Sequence, residues 1–178
     1  MRAKHQPKSD TKLFLLTLSL VTIGIIAVAD ASSPQALAIF SDKLYFAKQQ
    51  ALWAVVGIIA LIICSNINYK LWKALAVPAF AVSLFFLFLA LLPGIGISAY
   101  GAKRWINLGF TSFQPSELVK FTLAAYLAKA IASKKKPIAL FLPVGVVIGL
   151  IMLQPDLGTS LVVLAISFIQ IFVGGISL

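Results

Sequence analysis

Six apolar runs, at roughly residues 13–30, 50–67, 74–93, 115–132, 137–153 and 158–175, constrain this chain more than any other feature. Most approach the roughly 20 residues that a helix needs to cross the hydrocarbon of a bilayer. With 178 residues, 61% of them hydrophobic, the chain cannot hide that much apolar surface in one water-soluble core. The expected fold class is all-α, a polytopic membrane protein with six transmembrane helices. The connections show no sign of a separate soluble domain. The first run follows a basic segment, as in a signal peptide, but no small-residue cleavage site closes it and further spans follow, so it reads as a retained helix.

The net charge of +10 would point a soluble protein toward nucleic acid, but here the placement of the cations matters more than their sum. With the sides alternating, Arg2, Lys4, Lys8, Lys12, Lys70, Lys73, Lys134, Lys135 and Lys136 fall on one side. Lys43, Lys48, Lys103 and Arg104 fall on the other, nine cations against four. The positive-inside rule then puts the N-terminus in the cytoplasm and residues 101–114 outside. The lysine run in "SKKKP" (133–137) becomes a topology signal, and no nucleic-acid partner is expected. Trp53, Tyr69 and Trp72 lie near span ends, where amphipathic rings settle among headgroups, and read as anchors. Cys64 is alone and forms no internal disulfide. One His (His5) and one Cys at that separation build no metal site.

Polar groups are costly inside a membrane, about 2.5 to 3.5 kcal/mol for a Lys or Asp at a helix centre, so those that occur there are functional candidates. They concentrate around "GAKRWINLGFTSFQPSELVK" at residues 101–120. Glu117 and Lys120, three apart, share a helix face and can pair. Lys129 is nine further on, on the opposite face and about 13 Å deeper, where it can snorkel to the cytoplasmic end. A plainer reading stands beside the functional one. Pro115 suits a first helical turn, and a carboxylate there complements the positive helix end.

A repeated layout adds weight to the functional reading. "QPSEL" (114–118) and "QPDLG" (154–158) each set Gln and Pro before an acid, and each begins a span entered from the outside. Two helix N-termini with Lys103, Arg104 and Lys120 would surround the outer membrane face with positive charge, while Glu117 and Asp156 supply carboxylates. Such an arrangement suits a lipid-linked phosphate, with the carboxylates at hand for proton transfer or a divalent cation. "PGIG" (93–96) lacks the rest of a dinucleotide fingerprint and reads as a turn leaving the third span.

The motifs "GAKRWINLGFTSFQPSELVKFTLAAYLAK" and "QPDLGTSLVVL", with "DASSPQA" and "YFAKQQALWAVVG" before them, closely resemble the SEDS family of bacterial shape, elongation, division and sporulation proteins. "ASSPQA" and "LPGIGISAYGAKRWI" look more like the division branch than the elongation branch. The resemblance implies a peptidoglycan glycosyltransferase of the bacterial cytoplasmic membrane, polymerising glycan strands from undecaprenyl-pyrophosphate-linked lipid II. It also implies a class B penicillin-binding protein as transpeptidase partner, alongside other division or elongation membrane proteins and membrane lipid. Carried over residue by residue, Lys103, Arg104 and Trp105 match the family's outer-loop motif, Glu117 and Lys120 its buried polar pair, and Asp156 its later acidic motif. With Gln114 and Ser116, the outer-loop residues would bind substrate, while Glu117, Lys120 and Asp156 support catalysis. No certain cofactor is implied, and a divalent cation stays open.

The resemblance also implies about ten membrane helices, with the main catalytic carboxylate in a large outer loop after the seventh. Six spans end at Leu178, so the chain reads as an N-terminal fragment, inactive alone, with that carboxylate beyond Leu178. Two other readings stay open: a flippase for lipid-linked precursors, and a non-catalytic division scaffold.

Overall fold

Each apolar run overlaps a helix in the computed structural model, which describes residues 10–99, 102–107, 109 and 112–175, although the run drawn at 74–93 begins five residues after its helix, Tyr69–Leu89, and overshoots it by four. Among the described residues there are seven helices: α1 (Thr11–Ala31), α2 (Ser33–Phe40), α3 (Tyr45–Asn66), α4 (Tyr69–Leu89), α5 (Pro115–Ala132), α6 (Ile138–Met152) and α7 (Leu157–Val173). Three short strands, β1 (Gly96–Ala99), β2 (Ala102–Asn107) and β3 (Ser112–Phe113), stand between α4 and α5. The chain divides into two compact units, residues 1–67 and 68–178.

In the first unit α1 starts at Asp10, whose carboxylate accepts from the N–H groups of Lys12 and Leu13 at 3.0 and 3.2 Å and so caps two orphan donors. Residues 31–49, which lie between the first two apolar runs, contain α2, with Pro34 in its first turn and Ser41 in the left-handed region (φ 55°) closing it. Phe40 stacks on Tyr45 at 3.8 Å and fixes the turn into α3. That helix begins five residues before the run drawn at 50, because Lys48, Gln49 and Gln50 lower hydropathy without breaking backbone hydrogen bonds. Trp53 therefore sits more than two turns inside α3 and not at its end.

No residue of α1 is buried, and α3 buries only Ala47. Apolar surface of this extent is stable against lipid and not against water. Helices α1, α3 and α4 are long and apolar enough to cross a membrane. The protein is a multi-pass, all-α membrane protein. Helices α5, α6 and α7 have 18, 15 and 17 residues, roughly 27, 22 and 26 Å by helical rise.

These shorter helices pack with α4 in the second unit. The buried positions recur at helical spacing: Val119, Leu123 and Leu127 on α5; Leu140, Val144, Val147 and Ile151 on α6; Ser160, Val163, Ser167 and Ile171 on α7. Lipid tails are as apolar as leucine, so such helices associate through close packing and interhelical hydrogen bonds. Buried Ser83 and Thr122 supply one, their hydroxyls 2.6 Å apart between antiparallel α4 and α5. Pro143 inside α6 deprives the Ala139 carbonyl of its helical donor. The Tyr126 hydroxyl of α5 donates to that carbonyl at 3.0 Å.

The strands form an antiparallel sheet in the order β1-β2-β3, where the sequence shows only a loop. Gly94, at φ +90°, makes the turn out of α4 that brings β1 into place. The ring of Phe113 on β3 meets that of Phe86 on α4 edge-on, with centroids 6.1 Å apart.

Candidate functional site

Antiparallel packing gathers one end of the second unit: the C-terminal ends of α4 and α6, the N-terminal ends of α5 and α7, and the sheet. Most of the site residues expected from sequence fall here, but they divide into two groups with different work.

The first group is a strut. In the β1–β2 ladder, Ile97 faces Trp105 and Ser98 faces Lys103, so Arg104 has no opposite number on β1. A bulge of this kind re-aims a side chain. The Arg104 guanidinium leaves the sheet and donates from Nε to the Gln154 carbonyl at 3.1 Å and from Nη2 to the Pro155 carbonyl at 2.5 Å. Its Nη1 lies 3.7 Å from Asp156 Oδ2. Asp156 is buried and caps α7, accepting from the Thr159 N–H at 3.1 Å and the Thr159 hydroxyl at 2.8 Å. Its carboxylate is thus committed to holding a helix start and a loop together.

Gln154, which sequence reading had only as part of a repeated layout, is the centre of this end. It is 1% exposed, and its amide donates to the Leu87 carbonyl at 3.1 Å, tying the α6–α7 turn to the end of α4. Its Oε1 has no partner among the described residues. A Gln entering an apolar run, where an unpaired amide is costly, was the available signal.

The second group is less committed. Glu117 and Lys120 form an ion pair at 2.8 Å, with the Glu117 side chain 57% exposed and that of Lys120 23% exposed. Glu117 is thus exposed where the resemblance implied a buried pair, and a pair with one exposed partner contributes only about 0–1 kcal/mol, so it yields readily to a stronger partner. Ser116 is buried in the first turn of α5, and its Oγ has no partner among the described residues. Gln114 is the N-cap of α5 but its side chain makes no capping bond. The "QPSEL" and "QPDLG" layouts therefore differ in use: α5 starts directly at Pro115, whereas α7 starts two residues after Pro155, with the acid as its cap.

Trp105 is half-buried on β2, beside buried Ile106. The side chain of Lys103 lies outside the described residues. Among the described residues no three His, Cys, Asp or Glu side chains come together. The Asp156 carboxylate already accepts from Thr159 and faces Arg104. Lys129, nine residues beyond Lys120, is half-buried at the opposite end of α5 and lines a cleft there.

Residues 11–178 match the family described as cell cycle protein, the FtsW/RodA/SpoVE family. Among curated proteins, the chain is 41% identical over 174 residues to the probable peptidoglycan glycosyltransferase FtsW of Trichlorobacter lovleyi, covering 93% of this chain and 46% of that one. It is 39% identical to stage V sporulation protein E of Bacillus subtilis, covering 93% and 48%. Among solved structures, the rod shape determining protein RodA of Thermus thermophilus superposes with a TM-score of 0.81 at 29% identity, covering 98% of this chain and 56% of that one. A structure described as structural coordination of polymerization and crosslinking by a peptidoglycan synthase complex superposes with a TM-score of 0.79 at 31% identity, covering 96% and 49%. The chain spans about half the length of the curated relatives it matches.

Proposed function

Because this chain belongs to the FtsW/RodA/SpoVE family of cell cycle proteins, we propose that it forms the substrate-holding part of an enzyme that polymerises peptidoglycan glycan strands from lipid II. The observation that carries this reading is the exposed Glu117–Lys120 pair at the start of α5, next to a buried and unpartnered Ser116 hydroxyl. In glycan polymerisation the hydroxyl of one lipid-linked sugar attacks the anomeric carbon of another. A base takes the hydroxyl proton, and the bond to the lipid pyrophosphate breaks. Positive charge at the leaving pyrophosphate lowers the barrier more than charge felt equally by the ground state.

Lys120 is the cation suited to this role, and not Arg104, whose donors are spent on the α6–α7 turn. A pyrophosphate draws Lys120 away from Glu117, at little cost given the exposure of that pair. The N-terminus of α5 adds its own partial positive charge. Ser116 and Gln114 offer neutral donors beside it. The main catalytic carboxylate we place in the part of the family fold that this chain does not span. We place the protein in the bacterial cytoplasmic membrane, with its N-terminus in the cytoplasm, this site at the outer face, and a class B penicillin-binding protein as its partner.

The test is lipid II polymerisation by the purified full-length protein with that partner. Lys120→Ala is expected to lower the polymerisation rate by about 10²-fold, the usual scale for removing one electrostatic stabiliser, and Glu117→Ala, which leaves Lys120 without the partner that positions it, by a smaller factor. Wild-type rates from well-inserted variants would overturn the site assignment. Translocation of lipid II between leaflets without polymer would overturn the reaction.

A further inference from the structure

A cleft of about 320 Å³ opens at the opposite end of the second unit, between the start of α4 and the end of α5. Tyr69, Trp72 and Lys73 line it from α4, and Lys129 with three alanines lines it from α5. Trp72 is held by edge-on packing against Phe121, with centroids 5.4 Å apart.

The lysines at this end have no anionic partner in the unit. Residues 68–178 contain two carboxylates, Glu117 and Asp156, and these are engaged by Lys120 and Arg104. Lys70, Lys73, Lys129, Lys134, Lys135 and Lys136 form no ion pair among the described residues. Lys129, in the last turn of α5, complements that helix's negative end. Lys70 stands in the first turn of α4, where the helix dipole is positive and disfavours a cation, and Lys73 stands one turn further on. A topology signal accounts for positive charge on one side of the membrane, but it does not require lysines from two helices to share a cleft with two aromatic rings.

We propose that this cleft binds the phosphate headgroup of an anionic phospholipid, Lys73 and Lys129 pairing with the phosphate while Tyr69 and Trp72 seat the glycerol and upper acyl chains. Charge complementarity selects the anion, and the membrane setting of α4 selects a lipid as its source. The alanines of α5 leave the space that the headgroup fills.

Native mass spectrometry of the full-length protein, with phosphatidylglycerol or phosphatidylcholine added, tests this. Wild type is expected to retain phosphatidylglycerol selectively, and inorganic phosphate in excess is expected not to displace it. The Lys73→Gln/Lys129→Gln variant should bind it about 30-fold more weakly, having lost two lysine–phosphate contacts. A Lys134→Gln/Lys135→Gln/Lys136→Gln variant should keep most of the binding. Ala128→Leu, which fills the cleft and leaves every lysine, should also lose the lipid, and thermal melting of each variant checks that the fold survives. Undiminished binding by the Lys73/Lys129 or Ala128 variants would overturn the proposal. Equal loss on neutralising residues 134–136 would show an effect of the whole charged face, and ready displacement by phosphate would show a free-anion site; either refutes a lipid cleft.

Discussion

Replacing Arg104 with Ala removes the strut between β2 and the α6–α7 turn. The guanidinium donates to the carbonyls of Gln154 and Pro155. A hydrogen bond from a charged donor contributes about 1.5–3 kcal/mol, but the Arg104 side chain is 30% exposed, which argues for the bottom of that range at Gln154 and less at Pro155. The ion pair with Asp156, at 3.7 Å, adds less than about 1 kcal/mol. Together these give about 2–3 kcal/mol, or a 30- to 150-fold shift toward local opening of the turn. Hydrogen exchange read by mass spectrometry over residues 153–160, in lipid nanodiscs, measures it. The Arg104→Ala protein is expected to exchange these amides faster by about that factor, with the α5 amides between residues 119 and 127 unchanged. Arg104→Lys should recover only part of the protection, because one ammonium cannot reach two carbonyls and a carboxylate in fork geometry. Acceleration of less than about threefold for Arg104→Ala would refute the strut and return the guanidinium to the pool of free cations.

Tyr126→Phe leaves the Ala139 carbonyl without its donor. It should lower stability in mild detergent by about 0.6–2 kcal/mol, whereas Tyr126→Phe with Pro143→Ala, which restores the helical donor, should recover it. At Gly174 an added Cβ would stand 2.8 Å from Ile131 Cγ2 and 3.1 Å from the Gln170 carbonyl. Gly174→Ala is expected to cost about 1–2 kcal/mol in thermal or chemical unfolding, with Ile131→Val relieving part of it. The Asp42 carboxyl is held below its ordinary value, first by the Lys48 ammonium that donates to it and then by the Leu44 N–H. Its folded value is the lower one, so this contact is present above the unfolded value and is lost as pH falls through the folded value. Lys48→Met should move the Asp42 titration upward in a carbon-detected NMR experiment, and an unmoved titration would refute the attribution.

Much of the architecture was readable because it depends on local chemistry. Pro115 and the apolar run after it mark the start of α5 at the residue where the helix begins, and α6 and α7 lie within about two residues of the runs drawn for them. Hydropathy missed the first turns of α3 and α4, where polar side chains ride on unbroken helices. It also missed α2, whose eight residues are too few to show a period.

The sheet was out of reach for a different reason. Strands of four, six and two residues gain their stability from partners and from Phe113 seated on Phe86, none of which is local. By itself the sequence determined that this chain lives in a bilayer, roughly where its apolar helices lie, and which residues carry charge at a cost. Only the tertiary structure decided what those charges do. Arg104 is a cation in either reading, but its target lies fifty residues away across a bulge. Hydrogen bonds are directional and short in reach, so the side chain's work depends on where two distant backbone segments come to rest.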